Sequence, residues 1–279
     1  MKKMFFAAAL CGAALAFAGP ANADSDSDFW AAGASAIQDW LLGGVSHGVD
    51  PWTGPPLSDV LDDSTHALIL GSTGIATPGA GYISNAFNLY LEPNGYDGDL
   101  SSVLPLTTPN TFSFLQSVQQ GQQDLINGIL ADFKAGEMDC NALGVCSDPM
   151  TIFTYSQSSA VAALAEQQLF ADKIPTDALH FVMLGANPDG VPDSFFPTDI
   201  YNIDGDLWAE PLSIDWSDWN AVVVGAMTHL VYLGLSSDQI ASATTVVDGL
   251  TTIHEIPALT VPELWDALIN VWAGGALVG

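Results

Sequence analysis

Residues 150–170 constrain the fold of this chain more than any other stretch. Met150-Thr151-Ile152-Phe153-Thr154-Tyr155 is a short apolar run of strand length, Ser156 follows, and 157–170 is an alanine-rich helical segment with no spacer in between. A strand that is apolar on both faces and passes straight into a helix belongs in a parallel sheet with helices packed on it. The rest of the chain repeats the alternation. Strands are predicted at 66–70, 178–184, 199–203 and 244–256, and helices at 82–91, 112–134, 219–234 and 261–278. In 112–134, Phe114, Val118, Leu125 and Ile129 recur at helical spacing. The fold class implied is α/β, with a mainly parallel central sheet and helices on both faces.

The N-terminus reads as an address. Lys2 and Lys3 precede an apolar run over 5–18, and Ala21-Asn22-Ala23 places small residues where a signal peptidase reads. We therefore expect a signal peptide over 1–23, an N-terminal extension over 24–63 packed on the domain, and the main domain over 64–279. The expected location is secreted or cell-envelope associated, after cleavage near Ala23. No other run is long and apolar enough to require stable membrane insertion. Cys140 and Cys146 remain after cleavage, and export with an even count favours a disulfide between them. No histidine lies near them in sequence, and neither a metal nor a cofactor is expected.

Charge excludes whole classes of partner. The chain carries 32 acidic residues and a formal net charge of −28, and it has no arginine. Without Lys2 and Lys3, only Lys134 and Lys173 oppose those acids, a balance of −30. Counter-ion release on phosphate requires cationic side chains, so nucleic acid is excluded as a partner. Anionic lipid head groups are disfavoured for the same reason. A carboxylate or phosphate substrate would lack its usual guanidinium clamp. The favoured substrate is neutral or apolar.

Ser156 is the sharpest chemical feature. A serine on a tight strand-to-helix turn stands at the carboxyl end of a sheet as a nucleophile, and the next residue offers its backbone N–H to an oxyanion. The competing reading is a serine that merely caps the following helix. A serine nucleophile needs a base and an orienting acid, in the chain order Ser, Asp or Glu, His. Asp204 ends the strand at 199–203, and His229 and His254 follow it. His47 and His66 precede the serine and break the order, and His180 falls inside a strand. Gly71-Ser72-Thr73-Gly74 reads either as a second oxyanion turn or as an ordinary turn.

Several blocks, in order, resemble the PE-PPE domain, a cutinase-like α/β-hydrolase family of mycobacteria and their relatives. They are Ala67 to Gly74 with Thr77-Pro78, Asn88-Leu89-Tyr90-Leu91, Tyr155-Ser156-Gln157-Ser158, Gly185-Ala186-Asn187-Pro188, Ile203-Asp204-Gly205, and Trp219-Asn220-Ala221 with His229 and Tyr232. The resemblance implies Ser156 as nucleophile, Asp204 as acid and His229 as base, with His254 in reserve. It also implies Ser72 and Gln157 as the oxyanion N–H donors. The chain departs from the family at Thr154, where glycine is usual, and at Leu230, where the Val-His-Gly block has glycine. The expected function is a secreted serine esterase or lipase that hydrolyses neutral acyl esters through an acyl-serine. The alternatives are acyl transfer to a lipid or sugar hydroxyl with the same triad, and a non-catalytic envelope or binding protein on a hydrolase fold.

Overall fold

A computed structural model of the chain describes residues 32, 33, 35, 49, 52, 56–188 and 194–276. The expected leader over 1–23 and His47 lie outside the described residues, as does most of the expected extension over 24–63. Seven strands form one sheet: β1 (Ala67–Leu70), β2 (Val103–Leu106), β3 (Met150–Tyr155), β4 (Leu179–Leu184), β5 (Thr198–Ile203), β6 (Thr244–Asp248) and β7 (Thr251–Ile256). Their spatial order is β2-β1-β3-β4-β5-β7-β6. All neighbours run parallel except the β6–β7 pair. This is the α/β architecture, with a mainly parallel central sheet, expected from the strand–helix alternation.

Burial explains which strands were easy to read. β1, β3, β4 and β5 are buried along their whole length, so both pleat faces are covered by packed layers. β2 is half exposed, contains Pro105 and lies at the sheet edge, where a missing N–H is tolerated. Its apolar run of four residues is short and interrupted by proline, and it was not predicted. The single strand expected over 244–256 is instead a hairpin. Gly249-Leu250 makes the turn, with Gly249 at φ +60°, and the chain doubles back as an antiparallel edge.

Helices cover both faces. Helix α1 (Ala80–Ala86), the turns that extend it through Leu91, the segment 231–235 and α6 (Val261–Ala273) bury one core with Phe153, Tyr155, Tyr201 and Ile203. Helices α2 (Phe114–Ala135) and α3 (Gln157–Ala171) bury the other with Ile152, Phe181 and Ile200. Two further helices, α4 (Trp219–Thr228) and α5 (Ser237–Ala241), follow β5. The chain leaves β1 for the α1 face and leaves β3 for the α3 face. The carboxyl ends of β1 and β3 therefore diverge at a topological switch point, where open α/β sheets hold their ligands. No helix among the described residues is long and apolar enough to cross a membrane. Cys140 and Cys146 are joined by a disulfide in the loop between α2 and β3.

Candidate active site

Ser156 stands at the end of β3 with φ +61° and ψ −120°, a conformation serine rarely adopts. Holding a non-glycine residue there costs about 1–3 kcal/mol, which the surrounding packing must offset. The turn is tied on both sides. Ser156 N–H donates to the Leu184 carbonyl at 2.9 Å, and the Ser158 hydroxyl accepts from Tyr155 N–H at 2.9 Å. Thr154 is fully buried, yet its hydroxyl lies 3.2 Å from that of Ser159. The side chain that departs from the usual glycine is thus absorbed by a local polar contact.

His229 meets Ser156 from the segment that follows β5. Its Nε2 lies 2.7 Å from Ser156 Oγ. Helix α4 stops at Thr228, and His229 occupies the position just past its end. The continuous helix expected over 219–234 is broken here and resumes only as a short 3-10 turn over Tyr232–Gly234. Gly185 makes the room. A side-chain carbon there would stand 2.9 Å from His229 Cε1, and the backbone is already at φ +58°.

The carboxylate on the imidazole is Asp206, which corrects the expectation of Asp204. His229 Nδ1 lies 2.9 Å from each Asp206 oxygen. Asp204 still follows β5, with its N–H on the Ile256 carbonyl, and is exposed. Gly205, at φ +84°, turns the chain, and only after that turn does a side chain point under His229. A buried carboxylate only accepts, so Nδ1 carries its proton toward Asp206 and Nε2 is left to accept from the serine. An imidazole so placed can take the hydroxyl proton as the oxygen attacks a carbonyl.

The reserve base His254 is not at the serine. Its Nε2 lies 2.6 Å from Asp199 Oδ1, while His180 Nε2 lies 2.6 Å from Asp199 Oδ2. This clamp spans β4, β5 and β7, and the His254 ring stacks on Tyr201 at 4.2 Å. Among the described residues no group of three or more His, Cys, Asp or Glu side chains is placed to hold a metal ion.

Ser72 and Gln157 lie on opposite sides of the switch point. The β1–β3 register pairs Ile69 with Phe153, and continuing it sets Ser72 level with Ser156. The turn is shaped by Asn110, which sequence reading missed. Its Nδ2 donates to the carbonyls of Gly71 at 2.7 Å and Ile75 at 2.9 Å, and its own carbonyl accepts from Gly74 N–H at 2.6 Å. Gly71 must be glycine, because a side-chain carbon would sit 2.0 Å from the Ile75 carbonyl oxygen. Gln157 is locked by its own side chain. Its Oε1 accepts from the Ser117 hydroxyl at 2.9 Å, and its Nε2 donates to the Thr111 carbonyl at 3.0 Å. Trp208, 54 % exposed, stacks on the His229 ring with 4.8 Å between centroids.

The comparisons with known proteins agree with the sequence blocks. The PE-PPE domain model matches residues 75–192. Esterase PE16 of Mycobacterium tuberculosis (strain ATCC 25618 / H37Rv) is 29% identical over 214 residues, covering 63% of this chain and 38% of that protein. An uncharacterized PPE family protein, PPE28, from the same organism is 27% identical over 240 residues, covering 72% of this chain and 35% of that one. The match thus spans little more than a third of the length of these curated relatives. A solved structure of Trichoderma reesei cutinase in complex with a C11Y4 phosphonate inhibitor aligns with a TM-score of 0.40 and 19% identity, over 74% of this chain and 83% of that one. Residues 75–192 are thus similar to the PE-PPE domain, the family that the sequence blocks also resemble.

Proposed function

We infer that this protein is a serine ester hydrolase that works through an acyl-serine intermediate. The observation that carries the reading is the single line of contacts from Ser156 Oγ to His229 Nε2 at 2.7 Å and from His229 Nδ1 to Asp206 at 2.9 Å. The name of the relative Esterase PE16 points the same way. Ser156 Oγ attacks the ester carbonyl while His229 takes its proton. Asp206 holds the imidazole and stabilises its charged form. The backbone N–H groups of Ser72 and Gln157 face the oxyanion. Protonated His229 then gives its proton to the leaving alcohol, and water releases the acid by the same route in reverse.

The substrate we assign is an uncharged acyl ester. Trp208, Leu212 and Trp216 are exposed in the loop that carries Asp206, and Phe112, Phe114 and Leu115 are exposed beside the Thr111 carbonyl that holds Gln157. Such apolar walls suit an acyl chain, and the charge of −28 repels an anionic one. Export through the leader over 1–23 belongs to the same reading, and the mass of the protein recovered from culture medium tests it. The chemical test is a panel of p-nitrophenyl esters of increasing chain length, run with Ser156→Ala. We expect turnover to drop by at least about a thousand-fold. Undiminished hydrolysis by the alanine variant would remove Ser156 from the mechanism.

A further inference from the structure

Asp206 is fully buried, and both of its oxygens are occupied. Oδ1 accepts from the backbone N–H of Trp208 at 2.8 Å and of Ala209 at 3.3 Å. Oδ2 accepts from the Tyr232 hydroxyl at 2.6 Å. His229 Nδ1 stands 2.9 Å from each. The Tyr232 hydroxyl is itself fixed, because it accepts from Ile203 N–H at 3.0 Å. The Tyr232 carbonyl in turn accepts from the Tyr90 hydroxyl at 2.8 Å. Hydrogen bonds therefore run unbroken from the end of β5 through Tyr232, Asp206 and His229 to Ser156.

The geometry points to Tyr232 as a positioning residue whose hydroxyl pins Asp206 and draws off part of its charge, and so sets how strongly that carboxylate supports a protonated His229. A hydrogen bond to a carboxylate is worth about 1.5–3 kcal/mol, so its loss is felt by whatever else the carboxylate binds. Without the hydroxyl, Asp206 holds the imidazolium more tightly, and His229 stays protonated to higher pH. The other titratable group facing this cluster is Tyr155 of β3. Its hydroxyl donates to the His229 carbonyl, and its ring centre lies 5.7 Å from the imidazole. Tyr82 and Tyr90 act on Tyr155 from behind. Burial, and then the charge of Asp206, push the hydroxyls of Tyr232 and Tyr155 well above their ordinary value. Both therefore stay neutral donors through the working pH range.

The direct test is the titration of the His229 ring in the full chain, followed by nitrogen-edited NMR, in wild type and Tyr232→Phe. The midpoint should move up by about half a unit to one unit. In ester hydrolysis the acid limb of kcat/KM should move the same way, with kcat lower by about ten-fold and KM changed by less than about two-fold. Placing 3-fluorotyrosine at position 232 keeps the hydrogen bond, so it serves even if the phenylalanine variant fails to fold. Its more acidic phenol should move the midpoint down. Tyr90→Phe is the structural control, because it frees the Tyr232 carbonyl without touching the carboxylate, and it should leave the midpoint in place. An unmoved midpoint in both position-232 variants, or an equal shift in Tyr90→Phe, overturns the inference. It rests on the esterase reading only for its kinetic readout. A His229 midpoint that shifts as expected in a protein that cleaves no ester would end the esterase reading and leave this one standing.

Discussion

Asp204 and Asp206 lie on either side of Gly205, one exposed to solvent and the other sealed against an imidazole. Their chemistry is the same and their surroundings are opposite, so substitution separates them. Asp206→Asn keeps the shape of the site but removes the charge that orients and supports His229. Ester turnover should fall by about a thousand-fold or more. Asp204→Asn should stay within about two-fold of wild type, as an exposed surface change does. Equal losses in the two variants would return the acid role to Asp204. Sequence reading identified the right short segment here but not the right residue. Both acids follow the same predicted strand, and the positive φ of Gly205 that swings the second one inward is a property of the folded turn. Asn110 was missed for a related reason. It lies 40-odd residues from the serine, and its only signal is an Asn-Thr pair that also suits any loop.

At the scale of elements, the site depends on where helices stop. The apolar pattern over 219–234 predicts one helix, but α4 ends at Thr228, and that break lets His229 turn toward Ser156. Periodicity could not reveal the break, because Val231, Tyr232 and Leu233 continue an apolar run while packing in a different core position. The histidine that sequence order also allowed, His254, is committed to the clamp across β4, β5 and β7. Burial alone would raise the carboxyl of Asp199. The hydrogen bonds from His180 and His254 outweigh it and hold the group below its ordinary value of 3.8. A carboxylate lowered in the fold contributes stability that is present above that ordinary value and is lost as pH falls through the folded one. Asp199→Asn should therefore cost about 3 kcal/mol at neutral pH and progressively less as the pH falls below the ordinary carboxylate value of 3.8. Urea unfolding midpoints across that range check it, and a penalty that does not depend on pH would mean that the clamp acts through packing alone.

At the scale of the whole molecule, two features stand apart from any single residue. One is charge. With 32 acids against four cations, the compact state repels itself. Screening should relieve this, so the melting temperature should rise by a few degrees between about 20 mM and about 500 mM sodium chloride. A flat response would show that the acids are spaced widely enough not to interact. The other feature is the switch point between β1 and β3, which brings the Gly71–Gly74 turn level with the Ser156 turn although more than 80 residues separate them. The sequence by itself determined the strand–helix alternation, the parallel sheet, the tight strand-to-helix turn at Ser156 and the short list of acids and histidines. Hydrophobic periodicity and turn chemistry are local, and they survive in one dimension. Only the tertiary structure decided which acid and which histidine meet Ser156, that 244–256 doubles back as a hairpin, and that Asn110 and Tyr232 brace the site. Those choices are settled by burial, by the hydrogen bonds that buried polar groups must make, and by backbone angles at a few turns, none of which has a period to read.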